Sequence, residues 1–320
     1  MLISTYKHPC SIITALFYKL EPMNNLSREA QGYIYALMAF GFWGLIPIYF
    51  KLIASVSPAE ILAHRIIWSV VLLFGMILFS RQFGAFTLLI RDLHKIKYLV
   101  LTALLVSINW LVFIWAVSHN MIAESSLGYY INPLVNFALG IIFFKDRPSF
   151  WQKVAIGLAF GAIVYQVVTL GSIPVISLAL AFSFGFYGMI RKQINLPAMN
   201  GLYIETLILL PLALLYFSYL VATDQNAFVF PPNGVSWLLL LAGIITVLPL
   251  LWFNAAATRI SLIHIGFFQY ISPTVSFLLA IFVYDEVLVP EKLTSFVLIW
   301  IALAIFSIDG YFKKRASKEG

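Results

Sequence analysis

Charge is scarce in this sequence: 10% of the residues are Asp, Glu, Lys or Arg, against 62% that are hydrophobic. A soluble domain carries roughly 25% charged residues, so a water-facing exterior could not be covered, and an integral membrane protein is implied. Cysteine is nearly absent. The single Cys10 excludes a disulfide framework and a multi-cysteine metal site. Catalytic signatures are missing as well: there is no phosphate-binding GxxxxGKS/T, no HExxH and no GxSxG. An ATP motor of that type is thereby excluded, and no catalytic residue, cofactor or metal is expected. His64, His119 and His264 fall on different spans, which argues against a metal cluster. The net charge of +7 raises nucleic acid as a partner, but the basic residues lie in short loops between apolar runs. That is the distribution of topology determinants, so no nucleic acid is expected.

What the sequence has is long apolar runs. Ten of them, of about 20 residues each, match the length a bilayer core requires: approximately 33–52, 59–79, 98–118, 122–144, 154–170, 174–190, 201–221, 235–256, 261–284 and 293–312. Turn chemistry such as Ser57-Pro58 and Pro231-Pro232-Asn233-Gly234 separates them. An amphipathic piece within 80–97 is expected to lie at the membrane interface. Lys and Arg concentrate in alternate loops (Arg81, Arg91, Lys95 and Lys97; Lys145, Arg147 and Lys153; Arg191 and Lys192; Arg259), whereas the other loops hold Lys51 and Lys292. This asymmetry puts both termini in the cytoplasm. Residues 1–22 read as a start-site extension or a disordered tail, and residues 313–320 as a basic cytoplasmic tail.

The chain repeats itself. Residues 127–146, LGYYINPLVNFALGIIFFKD, return 140 positions later as residues 267–286, FFQYISPTVSFLLAIFVYDE. Tyr130, Ile131, Pro133 and Phe137 match Tyr270, Ile271, Pro273 and Phe277, and an acid, Asp146 or Glu286, closes each copy. With five spans in each half, residues 23–170 and 171–312, the second half must be inverted relative to the first. The fold class expected is therefore an all-α integral membrane protein of ten transmembrane helices in two inverted five-helix repeats. Pro133 and Pro273 are expected helix breaks. Interrupted spans at matching places in two halves point to a transporter's binding site.

Two stretches carry a family resemblance: GFWGLIPIYFKLIASVSPAEILAHRIIWS at 41–69 and NWLVFIWAVSHNMIAESSLGYYINPL at 109–134. With AATRISLIHIGFFQYISPT in the second half, they resemble the RarD-type, chloramphenicol-sensitivity branch of the EamA-type drug/metabolite transporter superfamily, over about 23–312. The resemblance implies a ten-helix exporter of the cell inner membrane, without ATP-binding parts, for drugs or small metabolites. The name of the branch implies chloramphenicol without establishing it.

Ionisable residues inside spans are costly and therefore suggest function. They are Glu60, His64, Arg65, His119, Glu124, Glu205, Arg259 and His264. At matching depth in inverted halves, Arg65 is expected to meet Glu124 and Glu205 to meet His264. Two such pairs could gate alternating access, or be static ties between helices. Glu60, His64 and Trp68 recur at helical spacing as one polar face. His64 and Glu205 are the candidates for carrying a coupling proton. Cavity-lining candidates are Asn109, Trp110, Trp115, Tyr130, Asn132 and Asn136 in the first half, with Trp252, Asn254, Gln269 and Tyr270 in the second. Each has a structural alternative: aromatics also anchor interfaces, and amides also join helices. Gly157 and Gly161, a GxxxG pair, and Gly185 and Gly188 are read as close-packing positions. The partners expected are the lipid bilayer and a small-molecule substrate, with protons as the candidate coupling ion; the oligomeric state is open. Two other readings stay open, an intramembrane lipid-modifying enzyme built on Glu60, His64 and Arg65, and a non-transporting assembly factor.

Overall fold

In the computed structural model the described residues are 26–80, 86, 89, 91–118, 122–170, 175–283 and 290–319, without the side chains of 114, 117, 118, 122–127, 170, 280, 290–292, 311 and 313–319. Among them every regular element is a helix: α1 (Arg28–Leu52), α2 (Pro58–Phe79), α3 (Leu93–Ser118), α4 (Ile122–Phe144), α5 (Phe150–Leu170), α6 (Val175–Ile194), α7 (Ala198–Ala222), α8 (Gly234–Ala257), α9 (Leu262–Gln269), α10 (Ile271–Phe282) and α11 (Pro290–Glu319). Helix starts follow capping chemistry. The side chains of Ser27, Ser57, Asn233 and Ser261 accept from the first-turn amides of Ala30, Glu60, Ser236 and His264. Pro58 occupies the first turn of α2, where no amide proton is needed.

Nine helical stretches among the described residues are long and apolar enough to cross a bilayer, with α9 and part of α10 counting as one, Leu262–Leu279. Within α4 the apolar part is Gly128–Phe144. Large apolar side chains face outward, as with Phe79, Leu212, Leu215 and Val168, while carboxylates, amides and an arginine are buried. This inside-out polarity suits a lipid surround. Of the amphipathic piece expected within 80–97, residues 91–97 are described and Leu93 to Lys97 form the start of α3, while 81–85, 87, 88 and 90, like Cys10 and the start of the chain, lie outside the described residues.

The bundle is held by α4 against α6, α3 against α6, α1 against α8, α2 against both α7 and α8, α5 against α11, and α1 against α10. Phe40, Tyr187 and Phe253 centre one core, and Phe137, Phe267 and Tyr270 a second. Gly185 makes one close approach possible, since a Cβ there would lie 2.6 Å from Val135. Gly188, with Phe253 at 3.0 Å from such a Cβ, is similar. Gly157 and Gly161 are not: nothing among the described residues lies within 4 Å of a Cβ at either. The GxxxG pair is exposed on α5 and serves no helix contact among the described residues.

The two proline copies differ. Near Pro273 the span is broken at Tyr270, whose amide donates to Phe267 in a tightened turn between α9 and α10. Pro273 has no N–H for the carbonyl of Gln269, which frees that turn. Pro133, by contrast, lies inside a continuous α4, so the break expected there is absent. In a bundle inside lipid, neighbouring helices hold such a proline in place, and α4 is clasped by α6 on one side and α9 on the other.

Candidate functional site

Glu205 and Arg191 occupy the interior near the end of the bundle where α1 begins. α7 carries the carboxylate two turns from its start, and α6 brings the guanidinium in its last turn. Both side chains are about 1% exposed, with Arg191 Nη1 3.6 Å from Glu205 Oε1. Thr102 of α3 donates to the same carboxylate oxygen at 2.6 Å. The hydroxyl of Tyr187 lies 3.4 Å from the other oxygen and accepts from Asn254 Nδ2 at 2.9 Å. Arg191 Nε donates to Asn254 Oδ1 at 3.1 Å, and Nη2 to the carbonyl of Ala198 at 3.4 Å. Four helices thus converge on one buried ion pair. Arg191 Nη1 has the ion-pair contact but no hydrogen bond among the described residues.

This arrangement corrects the pairing expected from depth alone: the ionic partner of Glu205 is Arg191 and not His264. His264 sits instead at the start of α9, with Nδ1 2.6 Å from Ser261 Oγ and its ring between Tyr33 and Phe306. Hydropathy ends the sixth span near residue 190. The helix runs one turn further, to Ile194, which draws Arg191 into the core on the same face as Tyr187. That spacing of four residues was the available signal. Thr102, Tyr187 and Gly201 were also missed.

A second cluster is uncharged. Gln269 Nε2 of α9 donates to Asn132 Oδ1 at 2.7 Å, and Asn136 Nδ2 donates to Gln269 Oε1 at 2.5 Å and to Asn132 Oδ1 at 3.2 Å. Asn132 Nδ2 reaches the carbonyl of Ala181 on α6. All three amides are buried, and Asn136 Oδ1 has no hydrogen-bond partner among the described residues. Asn109 ties α3 to α6 through Leu180 and Ser183, both at 2.9 Å. Tyr270 is fully buried at the helix break, 3.4 Å from the carbonyl of Tyr130.

The third cluster lies toward the opposite end, on α2. Trp68 Nε1 donates to His64 Nδ1 at 3.1 Å, and His64 Nε2 lies 3.8 Å from Glu60 Oε1. Glu60 Oε1 accepts the amide of Ala227 at 2.6 Å, fastening the connection between α7 and α8 onto α2. Arg65 turns elsewhere: its Nε donates to Thr246 of α8 at 2.9 Å, and its guanidinium covers Trp110 at 4.5 Å. Glu60 and His64 are therefore on one side of α2 and Arg65 on another. The expected partner of Arg65, Glu124, has its side chain outside the described residues, and so does His119. Of the remaining lining candidates, Trp252 packs edge-on to Phe42, and Trp115 is 46% exposed.

The EamA-like transporter family matches residues 30–168. The protein RarD of Escherichia coli (strain K12) is 46% identical over 91% of this chain and 99% of its own length. The uncharacterized transporter YojE of Bacillus subtilis (strain 168) is 43% identical over 91% and 98%. The chloramphenicol-sensitive protein RarD of Pseudomonas aeruginosa is 28% identical over 88% and 95%. A solved protein crystal structure shares the fold, with a TM-score of 0.66 at 14% identity over 87% of this chain and 97% of that one.

Proposed function

Because this chain belongs to the EamA-like transporter family, as a RarD-type, multi-pass protein of the bacterial inner membrane, we propose that it is a secondary transporter exporting small drugs or metabolites by alternating access. The observation that carries the reading is the Arg191–Glu205 pair, buried at 3.6 Å where four helices meet. A buried pair removed from water contributes little to stability over apolar packing, and ionisable groups inside a membrane bundle mark transport pathways and proton relays. Glu205 is the residue we assign to proton coupling. Protonation would cancel its attraction for Arg191 and loosen α6 from α7.

Helix packing supports two inverted halves, residues 23–170 and 171–312. The contact of α1 with α8 is answered by that of α6 with α3, and the contact of α4 with α6 by that of α10 with α1. A two-fold relation between five-span halves would produce this exchange. Under the lysine and arginine asymmetry, the end bearing Arg191 and Glu205 faces the cytoplasm. Asn132, Asn136 and Gln269 then lie near the midplane and are assigned to substrate contact, with the free Asn136 Oδ1 as an available acceptor. Relatives named as transporters speak for transport rather than enzyme chemistry, and the divergence of Arg65 from Glu60 and His64 separates the residues a lipid-modifying site would have used. Chloramphenicol appears in the name of one relative and is our first substrate for test.

Purified protein in liposomes with an imposed pH gradient should move labelled chloramphenicol, or one of a panel of amino acids, in a gradient-dependent way. Flux that ignores the gradient would leave a facilitator and remove Glu205 from proton coupling. No flux and no ligand-induced stabilisation across the panel would overturn transport itself.

A further inference from the structure

At the end of the bundle where α1 begins, a cavity of about 500 Å³ is lined by Arg28, Lys192 and Arg259 together with the polar Gln193, Asn195 and Thr258. It belongs to none of the three clusters above. Four helix ends meet there: the start of α1 and the ends of α4, α6 and α8. Gly32 allows α1 to approach closely enough, since a Cβ on it would lie 2.5 Å from Ile260 and 2.9 Å from the Arg259 Cβ.

Each cation spends part of its hydrogen-bonding capacity on helix-end carbonyls. Lys192 Nζ reaches the carbonyls of Ala257 and Ile260, Arg28 Nη2 that of Thr258, and Arg259 Nη1 that of Ala255. Such contacts are ordinary at helix C-termini. They account for where the side chains sit, but a carbonyl is neutral and leaves the charge in place. Among the described residues no acid lines the cavity. Asp146 acts on Lys192 from the end of α4, and the nearby Glu29 is engaged by the Tyr33 hydroxyl, so three cations outnumber two acids. Arg259 Nε is buried without a hydrogen-bond partner among the described residues. A cavity with surplus positive charge and an unused buried N–H is built for an anion.

The rim indicates which kind. Lys192 lies over the ring of Phe144 at 5.4 Å, and the preceding residues of α4, Ile141, Ile142 and Phe143, are exposed apolar side chains on the lipid-facing surface. An anion with hydrocarbon attached could place its charge among the cations and its chains along α4. Basic pockets between transmembrane helices bind anionic lipid headgroups in this manner. We propose that the cavity formed by Arg28, Lys192 and Arg259 binds the phosphate group of an anionic phospholipid.

The test uses the full-length protein in detergent, with retained lipid counted by native mass spectrometry during titration with phosphatidylglycerol or phosphatidylcholine. Phosphatidylglycerol should be retained in preference to phosphatidylcholine, and the Arg28→Gln, Arg259→Gln double variant should weaken that retention by about tenfold or more. Arg28→Gln alone, on an exposed first turn, should show a smaller loss and guards against misfolding of the double variant. The control is Arg147→Gln, Lys153→Gln, which removes the same charge from a separate cavity nearby and should leave retention unchanged. Equal losses in control and test variants would reduce the effect to general surface charge and overturn the proposal. So would equal retention of the two lipids by the unmodified protein. Displacement of bound phosphatidylglycerol by millimolar inorganic phosphate, with phosphate binding lost in the same double variant, would keep the anion site but overturn the lipid as its occupant.

Discussion

Gly201 faces the guanidinium of Arg191 so closely that a Cβ at position 201 would lie 1.9 Å from Nη1. The absence of a side chain on α7 is therefore a condition for the Arg191–Glu205 pair. Gly201→Ala should force the buried arginine aside and destabilise the protein by about 1–3 kcal/mol, the usual cost of overpacking. Thermal unfolding in detergent measures this, and the cost should shrink when Arg191→Gln is introduced first, since the obstructed group is then shorter. An unshrunken cost would place the clash elsewhere.

Glu205→Gln should leave Arg191 buried without its counter-charge, at a cost of about 3–5 kcal/mol. Adding Arg191→Gln removes the orphaned charge and should restore most of the melting temperature. Gradient-driven flux should remain lost in the double variant. Recovery of flux together with stability would assign the pair to folding alone.

Asn136 is expected to separate binding from stability. Its Oδ1 is unpaired, while its Nδ2 serves both Gln269 and Asn132. Asn136→Asp keeps the acceptor but loses the donor, and Asn136→Ala loses both. Each lost neutral hydrogen bond costs about 1 kcal/mol. If substrate uses Oδ1, Asn136→Ala should raise the KM of transport by severalfold beyond the effect of Gln269→Ala, which disturbs the same amide network but leaves that oxygen in place.

Gly161→Leu should be close to neutral in stability, within about 0.5 kcal/mol, as is usual for substitutions at surface positions. Gly161 has no neighbour within 4 Å of a Cβ among the described residues. A melting point lowered by several degrees in Gly161→Leu would reveal a contact made by α5 with another chain.

Spans and their order are legible in the sequence because a bilayer imposes a length and an apolar composition that no loop imitates. The amides of Asn132, Asn136 and Gln269 are legible for the same reason: inside an apolar run they must find one another, and they do. The charged cluster is only half legible. Glu205 stands out, but its partner does not, because hydropathy discounts a basic residue at a helix end and cannot say that α6 continues one turn past it. The direction of a residue around its helix is likewise invisible to spacing when the whole surround is apolar, so the Gly157–Gly161 spacing suggests close packing although both glycines are exposed on α5. Pro133 and Pro273 hold matching places in the repeat, and the repeat alone does not say which span breaks.

That last difference has a mechanical sequel. α4 is one uninterrupted rod through Pro133, whereas its counterpart is jointed at Tyr270. A continuous rod transmits tilt along its full length, and a jointed one can swing one segment while the other stays seated. The two strokes of the cycle should therefore differ in amplitude, with the smaller, local movement confined to α10. Distances measured by spin labels on α4 and α10 would show whether the asymmetry is kept in both access states.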